Sequence, residues 1–392
     1  MTAATPASTQ EPAEPGTAGL LTALRLRDLT IRNRAWMSPM CMYSADSQGP
    51  RTGVPNDFHL QHLASRAAGG VGLVMVEATA VRPDGRISPR DLGLWNDVQG
   101  QAFGPLTHAV RQLGAAIGIQ LSHAGRKAST DLPWRGEAPL APKDSGWQSI
   151  GPSPVAFAEG APVPEELSTA DIADVVAAFG AAARRAHQAG FQVVEIHGAH
   201  GYLIHSFLSP LSNRRTDAYG GSLDNRARLA LEVVDAVRSN WPDGLPVFFR
   251  ISGTDWMEEN APQETRQGWT SQDSVRLSQL LHARGVDLVD VSSGGVVPDA
   301  RIKGGLGYQV PYATAVKAAG VPAAAVGLIR EHRQADQIIA DGAADAVLLG
   351  RTLLEDPYWV QRARAELGAP AELPEQYGYW LRRPGERSKP LN

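Results

Sequence analysis

The sequence predicts an α/β fold of the TIM type, a (β/α)8 barrel. Three observations predict it. Eight short apolar runs recur along the chain, and a segment of helical period follows nearly every one, as parallel strands with covering helices require. The length of 392 residues suits one barrel with insertions. No Gly-x-Gly-x-x-Gly follows the first strand, and the glycine-rich loops come late, which argues against an open doubly wound sheet.

Taken in order, residues 1–19 are small, Pro-rich and polar and read as a flexible tail without the basic-then-apolar order of a secretory signal. The alternating piece at 24–31 suits a hairpin arm that closes the bottom of a barrel. The strands fall at about 33–40, 71–76, 115–121, 191–196, 245–251, 286–291, 321–326 and 344–349. Helices are expected at 57–68, 99–113, 172–189, 222–239, 270–284, 311–319, 331–340 and 352–367. Gly69-Gly70, Gly114, Gly190 and Gly285 stop four of them. Ser168 followed by Asp171 reads as a capping box. A long piece rich in Pro, Gly and Ser, 127–168, follows the third strand and reads as an irregular capping loop. The barrel is thus expected over 20–383, with 384–392 as a C-terminal tail.

Composition narrows the function. Apolar residues make up 43% and charged residues 20%, so a full core is available. The net charge of −4 and the lack of a long basic run point away from nucleic acid and anionic membranes. No apolar run is long enough for a membrane span. The single cysteine, Cys41, allows neither an intrachain disulfide nor a thiolate cluster and fits a reducing cytoplasm.

The chemistry gathers at the strand ends. The fourth strand delivers His197, His200 and Tyr202 at its C-terminal end, where barrels keep their active sites. Three readings of the histidines stay open. They are loop histidines with satisfied hydrogen bonds, or metal ligands with His205 as a third, or a pair of N–H donors that clamp one substrate oxygen beside Tyr202 as proton donor. Arg250 inside the fifth strand must be paired or must meet a ligand. Gln120 ends the third strand and offers both a donor and an acceptor. Gly294, Gly295, Gly327, Gly350 and Arg351 end strands six to eight, where barrels bind phosphate.

At this point the chain resembles the old yellow enzyme family, the FMN-dependent ene-reductases, and most of all its short bacterial branch. The residues that carry the resemblance are SPMCMYSA at 38–45, VEATAV at 76–81, IQLSHAGRKA at 119–128, the stretch 195–226, VSSGG at 291–295 and LLGR at 348–351. The resemblance implies non-covalent FMN at the C-terminal face. Pro39, Met40, Cys41 and Ala78 would lie along its ring, Gln120 at its pyrimidine edge and Arg250 at N1. Gly294, Gly295, Gly327, Gly350 and Arg351 would hold its phosphate. His197 and His200 would grip the carbonyl or nitro oxygen of an activated alkene, Tyr43 would help bind it, and Tyr202 would protonate Cα after hydride reaches Cβ. NADPH or NADH would be the reductant, as for an NADPH dehydrogenase of the old yellow enzyme type. In many members of the branch a C-terminal arginine reaches into the neighbouring subunit. Here the segment reads QYGYWL at 376–381, so Trp380 is expected to take that place across a homodimer or higher homo-oligomer. The alternatives are a metal-dependent barrel hydrolase using His197 and His200, and another FMN barrel oxidoreductase.

Overall fold

The structure, a computed structural model, describes residues 19–381. Residues 1–18 of the N-terminal tail, the C-terminal tail 384–392, and Arg382 and Arg383 lie outside the described residues.

A hairpin of β1 (Leu24–Leu26) and β2 (Leu29–Ile31) precedes the barrel. The barrel strands are β3 (Ala35–Met37), β4 (Leu73–Ala80), β5 (Ala116–Ser122), β8 (Val193–Gly198), β9 (Val247–Ser252), β10 (Leu288–Ser292), β11 (Ala323–Val326) and β12 (Ala346–Leu349). They pair in parallel and close, with β12 against β3. The remaining strands, β6 (Ile150–Gly151) and β7 (Glu165–Glu166), are a short parallel pair inside the capping loop. The helices are α1 (Asp57–Ala68), α2 (Asp97–Ala102), α3 (Gly104–Gln112), α4 (Thr169–Gln188), α5 (Leu203–Leu208), α6 (Leu223–Arg238), α7 (Ser271–His282), α8 (Val310–Ala318), α9 (His332–Ala340), α10 (Arg351–Glu355), α11 (Trp359–Glu366) and α12 (Glu375–Leu381).

Alternation along each strand sorts side chains between two apolar clusters. Val74, Val194, Ile196, Phe249 and Val289 join the large cluster under the helices. Trp36, Leu73, Met75, Phe248, Leu288 and Leu348 fill the lower barrel interior together with Leu29 and Ile31 of the hairpin, which therefore plugs the bottom. Trp36 stacks on Phe248 with ring centroids 5.7 Å apart.

The departures from expectation have local causes. Several strands begin two residues late because the apolar residue after the glycine caps the preceding helix. Phe191 N–H reaches back to Ala186 O, and Val286 N–H to Leu281 O, the 6→1 bonds of a Schellman end. The helix expected over 99–113 divides at Phe103, before Gly104-Pro105, and the one over 352–367 divides at Asp356-Pro357, since proline cannot donate within a helix. β4 runs on to Ala80 through a bulge between Val76 and Ala78, which leaves Glu77 without a place in the ladder. The Ser168/Asp171 capping box is present at the start of α4.

Candidate active site

Higher up the barrel the inward positions turn polar. Register places Gln120 beside Glu195, His197 beside Arg250, and Arg250 beside Asp290. Gln120 Nε2 donates to Glu195 Oε1 at 2.7 Å, and Arg250 Nε lies 3.2 Å from Asp290 Oδ2. Both guanidinium Nη atoms lie 3.3 Å from Ser38 Oγ. Burial raises the Glu195 and Asp290 carboxyls, and at Glu195 the Asp290 charge adds to it. Among the described residues Glu195 Oε2, Arg250 Nε and both Asp290 oxygens make no hydrogen bond, although all three side chains are buried. Polar atoms in that condition are costly unless a ligand meets them.

Above this layer sits the turn from β8 to α5. His197 Nδ1 accepts from Ala199 N–H at 3.2 Å, so the ring's proton belongs on Nε2. The His197 ring lies 5.2 Å from that of His200 and 5.0 Å from that of Tyr202, both edge-on. His200 Nε2 meets Ser292 Oγ at 2.7 Å. Burial pushes both imidazoles well below their ordinary value, with Arg250 the next cause. Burial likewise pushes the Tyr202 phenol well above its ordinary value, with Cys41 and Tyr43 adding to it. The cluster therefore offers uncharged N–H donors and a phenol that keeps its proton. Lys127 lies over the Tyr202 ring at 5.3 Å and donates to His200 O at 2.9 Å and Gly295 O at 3.1 Å.

Two cavities flank the cluster. One, of about 520 Å³, lies beneath the capping loop and is lined by Tyr43, Ile87, Lys127, Phe157, Tyr202 and neighbours. The other, of about 250 Å³, lies over β11 and β12 and is lined by Pro39, His200, Arg250, Gly327, Gly350, Arg351 and others. Met40 does not line it but lies beside Gly350, its Sδ 3.6 Å from where a Cβ on Gly350 would stand. Gly294 and Gly295 do not line that cavity. A Cβ on Gly295 would stand 2.7 Å from His200 Cα, so this glycine serves the close approach of two loops. Trp380 is exposed on α12 and lines neither cavity. His205, the third ligand of the metal alternative, turns instead to Gly201 N–H and Asp255. Among the described residues no three His, Cys, Asp or Glu side chains gather as a metal site would need.

Cys41 follows β3, and the loop is held by the bulge residue. Glu77 Oε2 accepts from Met42 N–H at 2.8 Å, and Oε1 lies 3.6 Å from His59 Nε2. Burial lifts Glu77 to about 8 and, with the Glu77 and Asp91 charges, pushes the Cys41 thiol well above its ordinary value. A thiol so placed is a packing and contact group, not a ready nucleophile.

Sequence reasoning passed over Ser252, Asp290 and Ser292, although strand parity puts each of them inward with Arg250. Gln309, Tyr308 and Arg330 also line the smaller cavity, and nothing in their local pattern marked them.

These groups fit FMN. Gly327, Gly350 and Arg351 offer backbone and a cation for a phosphate, and the unsatisfied polar layer around Arg250 and Gln120 suits a ring edge rich in donors and acceptors. The family model described as the NADH:flavin oxidoreductase / NADH oxidase family matches residues 20–369. An NADPH dehydrogenase of Geobacillus thermodenitrificans is 49% identical over 90% of this chain and 95% of its own, and one of Geobacillus sp. WCH70 is 47% identical over 91% and 97%. Among solved structures, morphinone reductase superposes with a TM-score of 0.72 at 29% identity, covering 92% of this chain and 93% of the other. The old yellow enzyme homologue from Zymomonas mobilis does so with 0.72 at 26%, covering 96% and 100%. A 2-naphthoyl-CoA reductase shares the fold (TM-score 0.78, 24% identity), but this chain spans 52% of its length. The chain belongs to the NADH:flavin oxidoreductase / NADH oxidase family, the family of the old yellow enzymes, and is an FMN-dependent oxidoreductase.

Proposed function

We propose that this protein is an ene-reductase, which uses NADPH or NADH to reduce the activated C=C bond of an α,β-unsaturated carbonyl or nitro compound. The single observation that carries the reading is the cluster of His197, His200 and Tyr202, in which Tyr202 lines one cavity, His200 lines the other and the His197 ring packs against the rings of both residues. The relatives named NADPH dehydrogenase favour NADPH as the reductant.

FMN, when bound, would supply the redox chemistry that links nicotinamide oxidation to reduction of the acceptor at Cβ. Pro39, Met40, Cys41 and Ala78 would bear on its ring, Gln120 and Arg250 on its polar edge, and Gly327, Gly350 and Arg351 on its phosphate. Arg250, which lines the smaller cavity, would bring positive charge to that edge. Gly294 and Gly295, which the resemblance assigns to the phosphate, lie just past the end of β10 outside the smaller cavity, and Gly295 is also the spacer that lets its loop approach His200.

The protein's own residues do the rest. His197 and His200 donate to the carbonyl or nitro oxygen and so stabilise the negative charge that builds there as Cβ gains the hydride. Both are uncharged, so they polarise the oxygen without protonating it. Tyr202 gives its proton to Cα and recovers one from solvent. The acceptor gains one hydride and one proton, and the C=C π bond is lost. Tyr43 borders the acceptor, and the capping loop shields it from water. In the assembled protein, Trp380 of one copy is proposed to border the mouth of a second copy in a homodimer or larger homo-oligomer. A cytoplasmic location fits the single cysteine.

Replacing Tyr202→Phe tests the proton donor. Reoxidation of the reduced enzyme by cyclohexenone is expected to slow by about 100-fold or more, the scale of a lost general acid. Reduction by NADPH should stay within about twofold, since an acid that acts only on the acceptor has no part in that step. Equal loss in both half-reactions would reject the role.

A further inference from the structure

The turn that carries His200 and Tyr202 is held in a strained shape. His200 has φ +60° and Gly201 φ +76°, two successive left-handed residues of which the first is not glycine. A non-glycine residue held there is strained and persists only when its surroundings impose it. Gly201 also has no room for a side chain, since a Cβ would stand 2.2 Å from Gly295 O.

The surroundings bond each end of the strained pair. His200 N–H donates to Ser252 Oγ at 2.9 Å, and His200 O accepts from Lys127 Nζ at 2.9 Å. Gly201 N–H donates to His205 Nδ1 at 2.8 Å. This last bond requires one tautomer of His205. Because Nδ1 accepts, the ring proton must sit on Nε2. Nε2 lies 3.1 Å from Asp255 Oδ1, and both side chains are fully buried. Among the described residues neither atom makes a hydrogen bond, so this close approach is the one polar contact between them and the geometry leaves Asp255 as the group facing Nε2. The other oxygen of Asp255 accepts from Ser209 Oγ at 2.6 Å and from Trp269 N–H at 2.8 Å, which fixes the carboxylate. Arg126 supplies the nearby positive charge.

We propose that His205 and Asp255 are positioning residues that lock one imidazole tautomer and through it aim His200 and Tyr202. Asp255 keeps the proton on Nε2. That leaves Nδ1 bare to hold Gly201 N–H. With the proton on Nδ1, two N–H groups would face each other and the strained turn would relax. The activity readout of this inference rests on the ene-reductase reading, while its structural readouts do not.

The experiment compares His205→Leu, which removes the Gly201 bond and the Asp255 contact, with His205→Gln, whose amide can accept from Gly201 and face Asp255 with its N–H. Both are prepared as FMN-loaded enzyme. In His205→Leu, reoxidation by cyclohexenone is expected to slow by about 10- to 100-fold, the scale of a misplaced reacting group. NADPH-driven reduction, measured per bound FMN, should stay within about twofold, because the proton donor to the acceptor has no part in that step. Hydrogen exchange at the Gly201 amide should speed up. His205→Gln should recover most of the lost rate and of the protection. Unchanged Gly201 exchange in His205→Leu, or equal loss in both half-reactions, would overturn the lock. Should His205→Leu fail to fold, the imidazole ¹⁵N shifts of wild-type His205 decide, because a proton on Nδ1 at neutral pH overturns it. If wild-type enzyme is not reoxidised by cyclohexenone at all, the ene-reductase reading fails, and the exchange and ¹⁵N measurements still judge the lock.

Discussion

The lower and upper halves of the barrel interior are built from the same strands and obey opposite rules. On β9, Phe248 stacks under Trp36 in a dry plug, and two residues on Arg250 faces Ser38 and Asp290. On β10, Leu288 belongs to the plug, and two residues on Asp290 lies buried with no hydrogen bond to its oxygens among the described residues. The lower half gains stability by burying apolar surface. The upper half carries polar groups that a folded chain alone leaves incompletely satisfied, so its composition answers to a ligand.

The largest expected effect breaks the lower half. Trp36→Ala removes a fully buried ring and should destabilise the protein by about 3–5 kcal/mol, read from denaturant unfolding. If stability barely changes, the plug is not the foundation of the barrel. The next substitution probes the upper half and should act in the opposite direction. Burial raises the Glu195 carboxyl in the folded state, so the folded protein holds a proton that the unfolded chain releases. Stability is therefore highest below the ordinary carboxylate range and falls as pH rises from that range towards the raised folded value. Glu195→Gln mimics the protonated acid and should unfold at higher temperature than wild type at pH 8.5, with the gap closing towards pH 4.5. Each unit of upward displacement corresponds to about 1.4 kcal/mol. A gap that widens on acidification would reverse the assignment. The smallest effect lies outside both halves. Ser168→Ala removes an exposed helix cap and should cost about 1 kcal/mol, with turnover and FMN content unchanged. A change in turnover would mean that α4 communicates with the mouth.

The same contrast explains what could be read in advance. The lower interior and the helix-facing layer follow from alternation and period, which is why the eight strands and the stops at Gly190 and Gly285 were legible. The residues around Arg250 were half legible. Parity could have added Asp290, Ser252 and Ser292, but their partners come from other strands, and register is not written in any single segment. His205 shows the limit most clearly. Spacing alone made it a candidate third ligand beside His197 and His200. The short helix α5, which the expectation did not include, rotates it to the far side, where it meets Asp255 from the loop after β9. The breaks at Gly104-Pro105 and Pro357 were within reach of the proline rule alone.

The surplus residue in β4 has a use of its own. Val76 pairs with Ile119 and Ala78 with Gln120, so the ladder closes as though Glu77 were not there. A chain one residue shorter at that point could keep the same cross-strand partners. What it would give up is the tether from Glu77 to Met42, and with it the anchorage of the Cys41 segment. The protuberance is therefore a fastening for the adjacent loop, and the sheet itself could do without it.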